Sequence, residues 1–171
     1  MDVAPRSLLV ARMDETDIEP LEAFDCGDDE MNRFLKEECF EEQSLGLNST
    51  YVLYYKGELA AFCSICADKI SLSSDEQEQA SLPRKSAPAI KIARLGRSVS
   101  FRGHEFGRFM VEYVHFQVLT LRQAVGVRYL TLDAYPSRVA YYESLGFAQN
   151  LAHRNPKSHT VSMRKDIFHV D

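Results

Sequence analysis

Residues 98–113 read SVSFRGHEFGRFMVEY, and the interpretation of this stretch decides the fold. It has the pattern of a strand end, a tight loop carrying Arg102, Gly103 and Gly107, and then a helix. Such a junction presents free backbone N–H groups at a helix N-terminus, where phosphate oxygens are favoured. Glu105 stands in the middle of it, a carboxylate where an anion site prefers glycine. The stretch is either a phosphate cradle with one odd residue or an ordinary capped helix start.

Working outward, AIKIARLGRSVSF (89–101) supplies the strand before the loop, with Gly96 as a candidate bulge. The helix after it is expected from Glu105 to Val125, with Phe106, Phe109, Met110, Tyr113, Val114 and Leu121 on one side. A strand, VRYLTLDAY (127–135), and a short helix, SRVAYYESLG (137–146), follow, and FAQNLAHR (147–154) and SHTVSMRKDIF (158–168) are expected as closing strands. Upstream, SLLVARM (7–13) is a first strand. Asp28 is placed to cap a helix carrying Met31, Phe34, Leu35 and Cys39, which Gly46 can end. STYVLYY (49–55) and ELAAFCSICADKI (58–70) form an antiparallel hairpin around Lys56-Gly57. Residues 71–88 are a polar connection with room for one helical turn. This order makes an α/β (α+β) chain, one domain over 1–171, with a mixed, mostly antiparallel sheet flanked by helices.

The composition sets limits. With 171 residues, 45% of them hydrophobic, the chain can bury a sizeable core. No apolar run reaches membrane-spanning length, and the N-terminus lacks a signal-peptide pattern, so a cytoplasmic protein is expected. Of the four cysteines only CSIC (63–66) has metal- or redox-like spacing. No second pair or nearby histidine completes a zinc set, so reduced thiols and no metal are expected. The net charge of −5 is uneven: thirteen acids against Arg33 and Lys36 over residues 14–42, and seven bases against Glu105 alone over residues 84–108. Two solvated faces would explain this, as would a cationic site for an anion with an acidic region elsewhere.

The loop lacks the three spaced glycines of a dinucleotide fingerprint and the Gly-Lys-Ser/Thr of a Walker loop. What remains, Arg-Gly-x-x-x-Gly, can hold a pyrophosphate without a metal. Here the chain resembles the GNAT acetyltransferases, whose motif is Gln/Arg-x-x-Gly-x-Gly/Ala. Arg102 and Gly107 match its ends, Gly103 is a common extra glycine, and Glu105 departs at the fourth position. RLGRS (94–98), AYYESLGF (140–147) and FDCGDDEMNRFL (24–35) are similar to further family patterns, the last to the branch that includes tRNA-acetylating toxins.

The resemblance implies a GNAT-type sheet and acetyl-CoA as cosubstrate. It implies cofactor contacts from Leu95, Gly96, Arg97, Arg102, Gly103, His104, Glu105, Phe106, Gly107, Arg108 and Tyr135. Tyr142 would be the acid that protonates the departing thiolate, a role that suits a phenol. An ordinary core aromatic is the alternative for Tyr142. Glu58, Asp133 and Glu143 are candidate bases with no sequence feature to choose among them, and His104 and His115 fit surface or satisfied roles better. The acceptor is a primary amine, for which the acidic helix at 28–42 suits a cation. The acidic net charge counts against tRNA without excluding it. A non-catalytic CoA-binding module with this fold is the rival from another class, and a homodimer stays open.

Overall fold

Alternating β-branched and aromatic residues around a tight turn build the first layer of structure. In the computed structural model, which describes residues 7–152 and 157–168, β1 (Leu8–Arg12), β2 (Ser49–Tyr55) and β3 (Glu58–Ser71) pair antiparallel in succession. Lys56 and Gly57 take φ of 52° and 85°, the two left-handed residues of a type I′ hairpin turn. Asp28 caps α2 (Asp29–Arg33) as expected, its carboxylate accepting from the N–H of Glu30 and of Met31. The helix runs on through a π turn at Phe34–Glu38 into α3 (Cys39–Ser44). No element is expected from sequence for the 3-10 turn at Glu15–Asp17, which Asp14 starts through a capping box, or for α1 (Ile18–Glu22) after it.

The polar connection holds α4 (Ser74–Gln79) and leads into β4 (Ser86–Arg97). β4 stops at Arg97; the SVSF that follows is a cap and a 3-10 turn, Val99–Phe101, not more strand. α5 is Phe106–Leu121, shorter at both ends than its apolar pattern suggested. Its buried stripe is Phe106, Met110, Val111, Val114 and Val118, while Phe109 and Leu121 are exposed. Then come β5 (Tyr129–Ala134), α6 (Val139–Ser144), β6 (Ala148–Gln149) and β7 (Val161–Asp166). β6 keeps only two residues of the expected strand, and His153 and Arg154 lie outside the described residues. The sheet has the order β1-β2-β3-β4-β5-β7-β6, with β4 and β5 parallel and β5, β7 and β6 antiparallel.

The described residues fall into two compact units. One takes the chain up to Cys66 together with Ala93–Tyr113; the other takes Ala67–Ile92 and the chain from Val114. The first is centred on Met13, Phe24, Phe34, Leu35, Val52 and Phe62, and the second has a cluster of Ile70, Leu72, Ala87, Ala89 and Tyr129. All four cysteines are free thiols. Cys63 is fully enclosed in β3, and burial pushes its thiol up to about 12. No group of three or more metal-binding side chains occurs among the described residues, and no helix among them is long and apolar enough to cross a membrane.

Gly96 stands against a buried ring. Its φ is not in the left-handed region, but a Cβ there would stand 2.5 Å from Phe62 Cε1. Phe62 cannot yield easily, because it is fully buried, edge-on to Phe24 and stacked on Phe34. Gly96→Ala is expected to cost about 1–3 kcal/mol by overpacking. Urea denaturation checks this, and an unchanged midpoint would show that the ring moves freely.

Candidate functional site

The junction is built by caps and turns that the loop sequence supplies itself. Ser98 caps the 3-10 turn through its hydroxyl, which accepts from the Ser100 N–H. The N–H of Ser98 bonds to the carbonyl of Ala60, and that of Val99 to the carbonyl of Asp25, so the end of β4 is tied on both sides. Arg102 returns to extended geometry, and Gly103 turns the chain with φ of 86°. Open space surrounds the position a Cβ of Gly103 would take, so torsion rather than crowding requires this glycine. The carbonyl of Glu105 accepts from the N–H of Phe109, which makes Glu105 the residue that opens α5.

Four rings brace the loop. His104 stacks on Phe106 with centroids 5.0 Å apart, and Tyr55 meets Phe101, His104 and Phe106 at 5.7, 5.5 and 5.2 Å. Phe101 also packs edge-on to His104 and Phe106. Phe106 is buried and Phe101 and Tyr55 half-buried, whereas His104 is exposed. Aromatic pairs of this kind contribute about 0.5–1.5 kcal/mol each beyond burial. They fix a backbone that a glycine would otherwise leave loose. Neither Tyr55 nor Phe101 stood out in the sequence; their partners are 46 or more residues away or hidden in the loop.

Glu105 holds its carboxylate in solvent beside Arg108. It is 77% exposed at the side chain and lies 3.5 Å from Arg108, which also reaches Glu112 at 3.4 Å. Exposed pairs of this type are weak and screened by salt, so Arg108 is only partly neutralised. Arg102 is exposed and forms no ion pair with the described residues. The loop therefore has what an anion needs: a helix N-terminus, a left-handed glycine and two bases.

Leu95, Gly96 and Arg97 stand on the last turns of β4 in the same unit, beyond Ala89–Ile92, the part in register with β5. Tyr135 and Tyr142 belong to the other unit. Tyr135 is exposed at the end of β5 and opens the 3-10 turn Pro136–Arg138. Tyr142 is half-buried on α6, edge-on to Tyr141 at 5.2 Å and to the buried Phe147 at 5.9 Å. Gly146, at φ 88°, closes α6.

The candidate bases are mostly engaged. Asp133 accepts from Lys91 at 2.6 Å and lines a small polar cavity of about 210 Å3 with Asp68 and Thr131. Glu143 accepts from Gln149, and Glu58 is exposed at the hairpin turn. His115 is half-buried, with a backbone hydrogen bond at Ile167, while its Nε2 is enclosed without a hydrogen-bond partner among the described residues. Burial and the nearby Lys165 hold its pKa below the usual histidine value. A larger open cleft of about 520 Å3, lined by Arg12, Asp14, Glu15 and Phe40, includes none of the expected site residues.

Strand order, the parallel pair β4–β5 and the loop-to-helix junction define a GNAT-type fold. Solved structures share it. A bacterial toxin superposes with a TM-score of 0.81 at 21% identity, over 95% of this chain and 92% of that one. A tyrosine-to-phenylalanine mutant of the toxin AtaT, bound to the C-terminus of the antitoxin AtaR and acetyl-CoA, gives 0.73 at 19% over 92% of each chain. AtaT complexed with acetyl-methionyl-tRNAfMet gives 0.77 at 21%, over 91% of this chain and 93% of that one. No family model matches the sequence, and no curated protein does.

Proposed function

We propose that this chain is an acetyl-CoA-dependent N-acetyltransferase that acetylates a primary amine by direct attack on the thioester. The observation that carries the reading is the braced loop Arg102–Gly107 at the start of α5, with Gly103 left-handed and Arg102 exposed, without an ion pair among the described residues. Backbone N–H groups of Gly103 and of Glu105 to Arg108 would hold the pyrophosphate, that of His104 being taken by the Phe101 carbonyl, and Glu105 keeps its N–H whatever its side chain does. Leu95 and Arg97 would offer backbone groups to the pantetheine arm. Acetyl-CoA supplies an activated acyl group. A backbone N–H near Leu95 or Gly96 would donate to the thioester oxygen as charge develops on it. Tyr142 would donate its phenolic proton to the departing sulfur, and the proton lost by the attacking amine would pass to water. Tyr135 is a further cofactor contact.

An aminoacyl-tRNA is the second acceptor class to test, because one structure with this fold, AtaT, is complexed with acetyl-methionyl-tRNAfMet. Its α-amino group is a primary amine of the same chemistry.

Acetyl-CoA is expected to bind and to raise the melting temperature, read by thermal shift and calorimetry. Absence of any response at millimolar acetyl-CoA would overturn the cofactor reading. In the same titration Glu105→Gly should tighten binding, by no more than about fivefold because the carboxylate is exposed and screened. Weaker binding would mean that the Glu105–Arg108 pair positions the arginine for the cofactor.

A further inference from the structure

β4 carries a second charged group that the cofactor reading does not use. Alternation along the strand puts Arg94 and Gly96 on one face, and both point at the same aromatic layer. The guanidinium of Arg94 lies 5.2 Å from the ring centroid of Phe34, and the Cβ direction of Gly96 meets Phe62, on which Phe34 stacks. Leu95 and Arg97 alternate to the other face. Arg94 thus stands one residue from the backbone that the proposed mechanism sets against the thioester, on the face toward the acidic helix.

Its donors are poorly used. Nη1 donates to the carbonyl of Ala93, its own neighbour, at 3.0 Å. Nη2 is 3.7 Å from the Glu30 carboxylate, beyond hydrogen-bond distance, and Glu30 is 60% exposed. Nε is enclosed and has no hydrogen-bond partner among the described residues. A guanidinium has five N–H donors in a rigid fork, and an enclosed donor without an acceptor is costly to keep. Packing alone would be served as well by a methionine. The cation held over Phe34, its side chain 35% exposed and with one loose and solvent-facing counter-charge, has the form of a receptor for an oxyanion at its Nη groups. Glu30 neutralises it in the free protein and, being exposed, can swing away.

We infer that Arg94 is a specificity-determining residue that binds an oxyanion, carboxylate or phosphate, carried by the acceptor close to its amine. The inference rests on the acetyltransferase reading and narrows its substrate class: bare polyamines are poor acceptors, and amines that bear a nearby anion are good ones. The acidic surface of α2 and α3 then serves the ammonium end, and Arg94 the anionic end.

The test uses matched amines with and without the anion: O-phosphoethanolamine against ethanolamine, glucosamine 6-phosphate against glucosamine, and β-alanine against propylamine. Turnover is followed by release of the CoA thiol, and acetyl-CoA affinity is measured separately by calorimetry. The wild type is expected to favour the anionic member of the phosphate or the carboxylate pairs by about 10- to 100-fold in kcat/KM, the scale of a charge-assisted hydrogen bond. The two kinds of pair tell phosphate from carboxylate. Arg94→Met should bring that ratio close to one while acetyl-CoA still binds, and Arg94→Lys should keep part of it. A purely structural arginine would lower both members of a pair equally and leave the ratio alone. Equal use of both members, a ratio that survives Arg94→Met, or no turnover of any member with acetyl-CoA bound would each overturn the inference. Failure of acetyl-CoA to bind at all would instead overturn the parent reading, and this inference with it.

Discussion

Tyr142→Phe is expected to lower turnover with an amine acceptor by about 10²-fold while leaving acetyl-CoA affinity nearly unchanged. The substitution is clean because of how the ring packs. Tyr142 meets Tyr141 and Phe147 edge-on, contacts that a phenylalanine keeps, and α6 is held by backbone bonds from Leu145 and Phe147 to the Tyr142 carbonyl. Only the hydroxyl is lost. An acid that protonates a leaving thiolate acts in the transition state, so its removal lowers kcat and kcat/KM together. A tyrosine that only packs would leave turnover per folded molecule intact. The assay needs an acceptor, found from a panel of polyamines, aminoglycosides, lysine peptides, anionic amines and aminoacyl-tRNA. Equal rates in the two proteins would remove Tyr142 from the mechanism. Failure of every acceptor, with acetyl-CoA bound, would favour a CoA-binding module that has kept the fold.

What the sequence revealed follows from how far apart the cooperating residues are. The hairpin at Lys56-Gly57, the Asp28 cap and the Arg-Gly-x-x-x-Gly junction are local, and each was legible because its cause lies within a few residues. The α5 stripe was read with Phe109 and Leu121 inside, since period alone cannot say which flank of a helix faces the core; Val111 and Val118 are buried instead. SVSF is as β-prone as the strand before it, but β4 stops at Arg97, where the Ser98 cap starts a 3-10 turn and the N–H groups of Ser98 and Val99 are taken by the distant carbonyls of Ala60 and Asp25. Gly96 stands against a ring 34 residues away in β3, a contact that no local pattern encodes. Arg94 was one base among seven in a charged stretch. Its stacking on Phe34 and loose pairing with Glu30 exist only once α2 lies against β4.

Glu76→Gln is expected to cost about 3–5 kcal/mol at neutral pH, the scale for leaving one partner of a buried ion pair alone. Glu76 is almost fully enclosed, and three N–H groups converge on it. Its Oε1 accepts from Arg164 Nη1 at 2.6 Å and from the Leu151 N–H at 2.8 Å, while Oε2 accepts from the Ser73 N–H at 2.7 Å. It is also the third residue of α4, closing a capping box with Ser73, so one carboxylate starts the helix and ties it to β7. Arg164 has further acceptors in Asn150 and the Gln149 carbonyl, which orient it without cancelling its charge. A glutamine is nearly isosteric but brings an amide N–H where an acceptor is required, and it leaves the guanidinium unneutralised. The loss must depend on pH. Burial by itself raises the carboxyl pKa, but the Ser73 and Leu151 N–H groups and Arg164 outweigh it and hold the pKa below the usual glutamate value. The folded protein therefore binds this proton more weakly than the unfolded chain does. The contribution to stability is complete above the unfolded pKa and is lost as pH falls through the folded one. Urea denaturation at neutral pH and in steps downward should show the gap between wild type and Glu76→Gln narrowing with acid. A gap that holds constant would mean that the pair contributes shape and hydrogen bonds but no charge-linked stability.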